Sequence, residues 1–151
     1  MEPRMDISQV APDGFAAVLG LEKYARTHVE HDLYELIKLR ASMDNGCAFC
    51  VDMHTTDWLG SGQDVRRIVA VSAWHESPFF SDRERTVLAL TDAVTRLGEE
   101  GVTDELWAEA TKELGDDLLA NVLFAIATIN VWNRLTVPTR MPPPPLATPA
   151  S

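Results

Sequence analysis

The 151-residue chain has little cysteine, little positive charge and no long hydrophobic run. Two cysteines in a chain of this size do not make a disulfide scaffold, so the fold must rest on a packed core. Lysine and arginine number 13 against 23 aspartates and glutamates, a formal net charge of -10. That balance repels phosphate backbones and anionic lipid, so no nucleic acid and no membrane partner is expected. Residues 1–10 contain no apolar run of the secretory type. The longest apolar stretch, residues 118–132, is interrupted by Asn121, Thr128 and Asn130. It falls short of the roughly 20 residues that a membrane span needs. A cytoplasmic protein is the expectation. Strict alternation of apolar and polar residues is missing too, which excludes a sheet-based fold.

What is present is helical. A hydrophobic share of 46% and a charged share of 24% are ordinary for one globular domain. Residues 11–27 open on Pro12 and Asp13, suited to a helix start, and repeat Phe15, Val18, Leu19, Leu21 and Tyr24. Residues 30–43 set Leu33, Leu36, Ile37 and Leu39 at helical spacing until Asp44-Asn45-Gly46 breaks the run. A third helix, residues 47–59, stops at Gly60-Ser61-Gly62, and a fourth covers residues 64–74. Ser81 and Glu84 form a capping-box pattern ahead of Val87, Leu90, Val94 and Leu97. Thr103 caps a short helix to about Leu114. Residues 117–135 then form a helix apolar on nearly all sides, the expected central and buried one. Residues 138–151, with prolines at 142–145, predict an extended tail. The predicted architecture is all-α, about six or seven helices, with a helical domain over residues 1–137 and a proline-rich tail over residues 138–151.

Chemistry concentrates in Cys47-Ala48-Phe49-Cys50-Val51-Asp52-Met53-His54. Two cysteines three positions apart stabilise little as a staple, because the loop they close is so short. On a helix that begins at Cys47, Cys50 lies about 60° and His54 about 20° away around the axis, so both sulfurs and the imidazole share a face. Trp58 points the same way and is a candidate pocket floor. Helix N-termini and imidazoles favour the thiolate, the reactive form of cysteine. A second thiol within reach can resolve a sulfenic acid formed on the first. The Asp44-Asn45-Gly46 turn folds helices two and three into a hairpin and brings Glu35 roughly level with His54, which permits a Glu–His–Cys proton relay. The same residues leave two other readings open. Cys47, Cys50 and His54 could bind zinc as a non-enzymatic metal or assembly site, with His31 or His75 as fourth ligand. The thiols could also be inert core residues. A haem-attachment motif is excluded because Val51 follows Cys50. His28, His31 and His75 read as surface or helix-end groups. Asn130, Asn133 and Arg134 read as subunit-interface contacts or as the helix emerging into solvent.

Glu35, Leu39-Arg40-Ala41-Ser42 and the run from Asn45 to His54 resemble the alkyl hydroperoxidase D-like group of the carboxymuconolactone decarboxylase family. The likeness continues through Ala73-Trp74 and through residues 78–85 and 129–134, and covers most of residues 12–135. The resemblance implies an all-α fold, homo-oligomers (often trimers or hexamers) and a thiol-based peroxidase or disulfide oxidoreductase. It implies that Glu35, Cys47, Cys50 and His54 form the catalytic relay, Cys50 attacking a small-molecule peroxide and Cys47 resolving. An external dithiol or a lipoylated protein would then reset the pair, with no cofactor. The family's peroxidases carry a further histidine directly before the second cysteine, where this chain has Phe49. The decarboxylase branch lacks the cysteine pair, so decarboxylation is not expected.

Overall fold

Seven helices and one 3₁₀ turn make up the regular structure of residues 2–146, the part of the chain that the computed structural model describes, and no strand occurs among those residues. In order they are α1 (Ile7–Val10), α2 (Pro12–His28), α3 (His31–Asp44), α4 (Ala48–Gly60), α5 (Val65–Ala70) with a 3₁₀ turn at Val71–Ala73, α6 (Asp82–Thr95) and α7 (Asp104–Thr139). Local rules explain most boundaries. Pro12 occupies the first turn of α2, where its missing N–H costs nothing. The capping box is formed, Ser81 accepting from the Glu84 N–H while Glu84 accepts from the Ser81 N–H. The two predicted C-terminal helices are both present within α7, separated by a break at Gly115, whose φ of 70° and ψ of 163° only glycine adopts freely.

The helix expected at the centre is not the one found there. Residues 33–42 of α3 are all buried, although they include Glu35, Lys38, Arg40 and Ser42. The more apolar α7 packs on α2, α3, α4 and α6 and leaves Phe124 and Val137 half exposed. It is also long and apolar enough to cross a membrane by length and composition, a test that core helices pass too. The burial of α3 is possible because each charged side chain in its buried part is partnered. Lys38 Nζ lies 2.5 Å from Glu22 on α2. Glu35 Oε2 lies 2.8 Å from His54 Nδ1 on α4. Arg40 forks onto Asp92 of α6 through Nε at 2.5 Å and Nη2 at 3.0 Å, and reaches Asp44 at 2.9 Å. A buried charge is tolerated only when paired and hydrogen-bonded in this way.

The last helix also runs past the expected end near Leu135 to Thr139, through Pro138. Arg140, with φ 57°, closes it: the Arg140 N–H reaches the Val137 carbonyl and the Met141 N–H the Thr136 carbonyl. The N-terminal segment is tied to this end, the Arg4 N–H donating to the Thr139 carbonyl at 2.8 Å. Residues 141–146 have no regular secondary structure, and the rest of the predicted tail lies outside the described residues.

Arg40→Met tests the buried network. It leaves two carboxylates without their main counter-charge and should cost about 3–5 kcal/mol in urea unfolding near neutral pH. Burial and the charge of Asp92 already raise the Asp44 carboxyl above the aspartate range, opposed by Arg40 and Arg96. A raised carboxyl gives most stability below its unfolded value and loses it as pH climbs through the folded one. Removing Arg40 raises Asp44 further, so the deficit of the variant should shrink as the pH falls from neutral into the acid range, where Asp44 is protonated.

Candidate functional site

A six-residue turn delivers the site. Gly46 takes a φ of 65°, which glycine adopts without steric cost. The Cys47 N–H then bonds the Ser42 carbonyl at 3.0 Å and the Gly46 N–H the Met43 carbonyl at 3.2 Å. This pairing ends α3 and places Cys47 at the N-cap of α4 with no intervening loop. Asn45 fastens the turn to α7, its amide donating to Asn133 at 2.8 Å and Asn130 at 3.0 Å. Those two asparagines therefore hold the hairpin within the chain, and Arg134 donates to the Asn130 side chain at 2.6 Å.

Cys47 and Cys50 are joined by a disulfide with their Cα atoms 5.3 Å apart. Both are buried, against Ala41 and Ile129. The Cys47 sulfur caps α4, accepting the Cys50 N–H at 3.3 Å. The imidazole of His54, one turn beyond Cys50, is buried as well. Its Nδ1 meets Glu35 Oε2 at 2.8 Å. An ionised carboxylate only accepts, so Nδ1 carries a proton, and in the neutral imidazole Nε2 holds the lone pair. Nε2 is buried without a hydrogen-bond partner in the protein. Glu35 also lies close enough to Lys38 for their charges to interact; burial pushes the Lys38 ammonium down, and Glu22 holds it up.

A cavity of about 660 Å³ opens onto these groups. Cys50 and His54 line it, together with Phe49 and Met53 of the same helix face, whereas Cys47 does not. Apolar side chains of α2 and α7, among them Phe15, Leu19 and Trp132, form much of the remaining wall, and the N-terminal segment borders it. All four predicted site residues thus come together. Trp58 does not floor the cavity: it is fully buried in the main core and donates to Asp32 at 3.1 Å. Its place is taken by Trp132, whose indole N–H donates to Glu22 at 2.8 Å.

The residue that sequence reasoning missed is Thr136. Its hydroxyl sits 3.0 Å from Cys47 Sγ and 3.4 Å from Cys50 Sγ, and also 2.9 Å from the Trp132 carbonyl. A hydroxyl has one proton, so it can serve the carbonyl while the sulfurs are neutral and turn to a thiolate once one forms. Nothing in the helical pattern marks a threonine 86 positions from Cys50. Of the histidines offered as a fourth zinc ligand, His75 is stacked on Trp74 at 3.7 Å. In the disulfide state the cysteines supply no thiolate ligands. Among the described residues, the group of metal-ligating side chains is Glu35, His54 and Asp57, with their ligand atoms within 4.8 Å of one another.

The sequence profile of the carboxymuconolactone decarboxylase family matches residues 11–93. The chain is similar to the uncharacterized protein YdfG of Bacillus subtilis (strain 168), with 34% identity over 138 residues, which is 91% of this chain and 94% of that protein. It is also similar to the crystal structure of ATU0492 from Agrobacterium tumefaciens, a protein of unknown function with a suggested role as the antioxidant defence protein AhpD. That similarity has a TM-score of 0.93 at 38% identity, over 96% of this chain and 100% of the other.

Thr136→Val removes the hydroxyl at nearly constant volume. A hydrogen bond to a charged group is worth about 1.5–3 kcal/mol, so alkylation of the reduced cysteines at neutral pH should slow by about tenfold or more. Thr136→Ser should restore it. Iodoacetamide kinetics with mass detection provide the measurement.

Proposed function

The chain belongs to the carboxymuconolactone decarboxylase family and has the alkyl hydroperoxidase D-like fold, and from that premise we propose that it is a thiol-dependent peroxidase. The observation that carries this reading is the buried Glu35–His54 pair, 2.8 Å apart, with His54 and Cys50 on one cavity wall and Cys47 bonded to Cys50 behind it.

In the reduced enzyme His54 Nε2 takes the proton of the Cys50 thiol, and Glu35 steadies the imidazolium through Nδ1–H. The Cys50 thiolate attacks the outer peroxide oxygen. The O–O bond breaks, the sulfur becomes a sulfenic acid, and the departing alkoxide receives a proton from His54 to leave as alcohol. Cys47 next attacks the Cys50 sulfur, an S–O bond is exchanged for the S–S bond, and water departs. An external dithiol, free or on a lipoylated protein, returns both thiols by two exchange steps and is itself oxidised to a disulfide. The reducing thiol pools of the cytoplasm would sustain such a donor. Cys50 is the attacking sulfur because it faces the cavity, and Cys47, at the helix N-cap, resolves. Thr136 steadies whichever sulfur is ionised. Exposed Leu19, Tyr24 and Phe124 on α2 and α7 support assembly into a homo-oligomer, a trimer or hexamer by family analogy.

Cys50→Ser should abolish peroxide-driven turnover. Cys47→Ser should consume about one equivalent of peroxide per chain and stop as a sulfenic acid, captured by dimedone. Sustained peroxide turnover by Cys50→Ser would overturn the reading. Glu35→Gln should lower turnover by about 10²–10⁴-fold, the usual contribution of a positioned acid–base group, in a steady-state assay with dithiol in excess.

A further inference from the structure

Two helices present a second donor set that the peroxidase reading uses only in part. Glu35 Oε2 holds His54 Nδ1, but its other oxygen, Oε1, is 3.8 Å from Nε2 of His31, one turn earlier on α3. Asp57 lies three positions after His54 on α4, and its carboxylate falls within 4.8 Å of the Glu35 and His54 ligand atoms. We propose that His31, Glu35, His54 and Asp57 form a binding site for a divalent transition metal, zinc being the best match, and that its occupancy disables His54 as a proton acceptor.

Two imidazoles and two carboxylates suit zinc, which takes nitrogen and oxygen donors at about 2.0–2.2 Å in a tetrahedron whose donors are then about 3.3 Å apart. The Glu35–His54 spacing of 2.8 Å and the His31–Glu35 spacing of 3.8 Å lie on either side of that figure, and Asp57 falls within 4.8 Å of Glu35 and His54. Glu35 and His54 are buried and fixed, whereas His31 and Asp57 are exposed, so the outer pair can close on an ion arriving from solvent. The net charge of -10 favours cations in general, and the nearby Lys38 ammonium is matched by Glu22.

The consequence follows from the tautomer. The His54 nitrogen that faces Glu35 is Nδ1; it must lose its proton to bind a metal there, and a neutral imidazole then carries its proton on Nε2. That nitrogen can donate but can no longer take the proton of Cys50. Glu35 simultaneously passes from hydrogen-bond acceptor to metal ligand. The inhibitory half of the proposal rests on the peroxidase reading; the binding half does not. The site is distinct from one built on the cysteines, because it persists when they are a disulfide.

Titration of zinc chloride into the oxidised, disulfide-bonded protein, followed by calorimetry, should show one ion per chain. Cys47→Ser/Cys50→Ser should bind equally well, and His31→Ala/Asp57→Ala should bind about tenfold or more weakly. Nitrogen-15 spectra should move the His54 proton from Nδ1 to Nε2 on saturation. Failure of the oxidised protein to take up zinc, or unchanged affinity in the His31/Asp57 variant, would overturn the proposal. Absence of peroxide turnover in metal-free wild type would remove the peroxidase reading and leave the binding result standing.

Discussion

The structure depends on the complete burial of a helix that carries charge. Residues 33–42 of α3 have no solvent face, yet three of them, Glu35, Lys38 and Arg40, carry charge in water at neutral pH. An unpaired ion in such a place would cost several kcal/mol. Each therefore dictates the position of a neighbouring element: Lys38 that of α2 through Glu22, Glu35 that of α4 through His54, and Arg40 that of α6 through Asp92. Apolar packing by Leu36, Ile37 and Leu39 supplies the attraction, but it is not directional. The paired charges supply register, because each bond can be made at only one rotation and height of the partner helix.

The site is a consequence of that arrangement. The contact that locates α4 against α3 is the same Glu35–His54 bond that sets the imidazole tautomer and leaves Nε2 free. Orientation of the histidine thus needs no further support from the cavity wall, which can stay apolar. Gly46 performs the complementary task on the chain. By ending α3 and starting α4 within two residues, it puts both sulfurs into the first turn of α4, where the helix dipole favours a thiolate. Asn45, bonded to Asn130 and Asn133, carries that geometry across to α7 and so to Thr136.

Local signals were the legible ones. The Gly46 turn, the shared face of Cys47, Cys50 and His54, the Ser81 capping box and the level match of Glu35 with His54 all depend on spacings of a few residues, or on two helices joined by a tight turn. Hydrophobicity was a poor guide to depth. It pointed to residues 117–135 as the centre, whereas α3 lies deeper because its charges find partners on α2, α4 and α6, which no single-helix pattern can display. Trp58 shares the direction of the cysteines along α4, but a projection around one helix does not tell which neighbour covers that direction lower down. There α3 supplies Asp32 for the indole, and no cavity remains. Thr136 was invisible for a related reason: it reaches the site from the far end of the chain.

Phe49 shows how the cavity divides its labour. Residues 49, 50, 53 and 54 form one face of α4, and all four line the cavity. With phenylalanine where related peroxidases carry a histidine, that face offers a single imidazole. In the proposed peroxidase, proton traffic at the sulfur would pass through Nε2 of His54, and Phe49 adds apolar wall instead of a second relay. Such a wall binds organic groups through burial and excludes water from the thiolate, which strengthens each remaining polar contact. On the peroxidase reading, this arrangement concentrates acid–base chemistry on one nitrogen, and anything that changes the proton on that nitrogen would change the whole site.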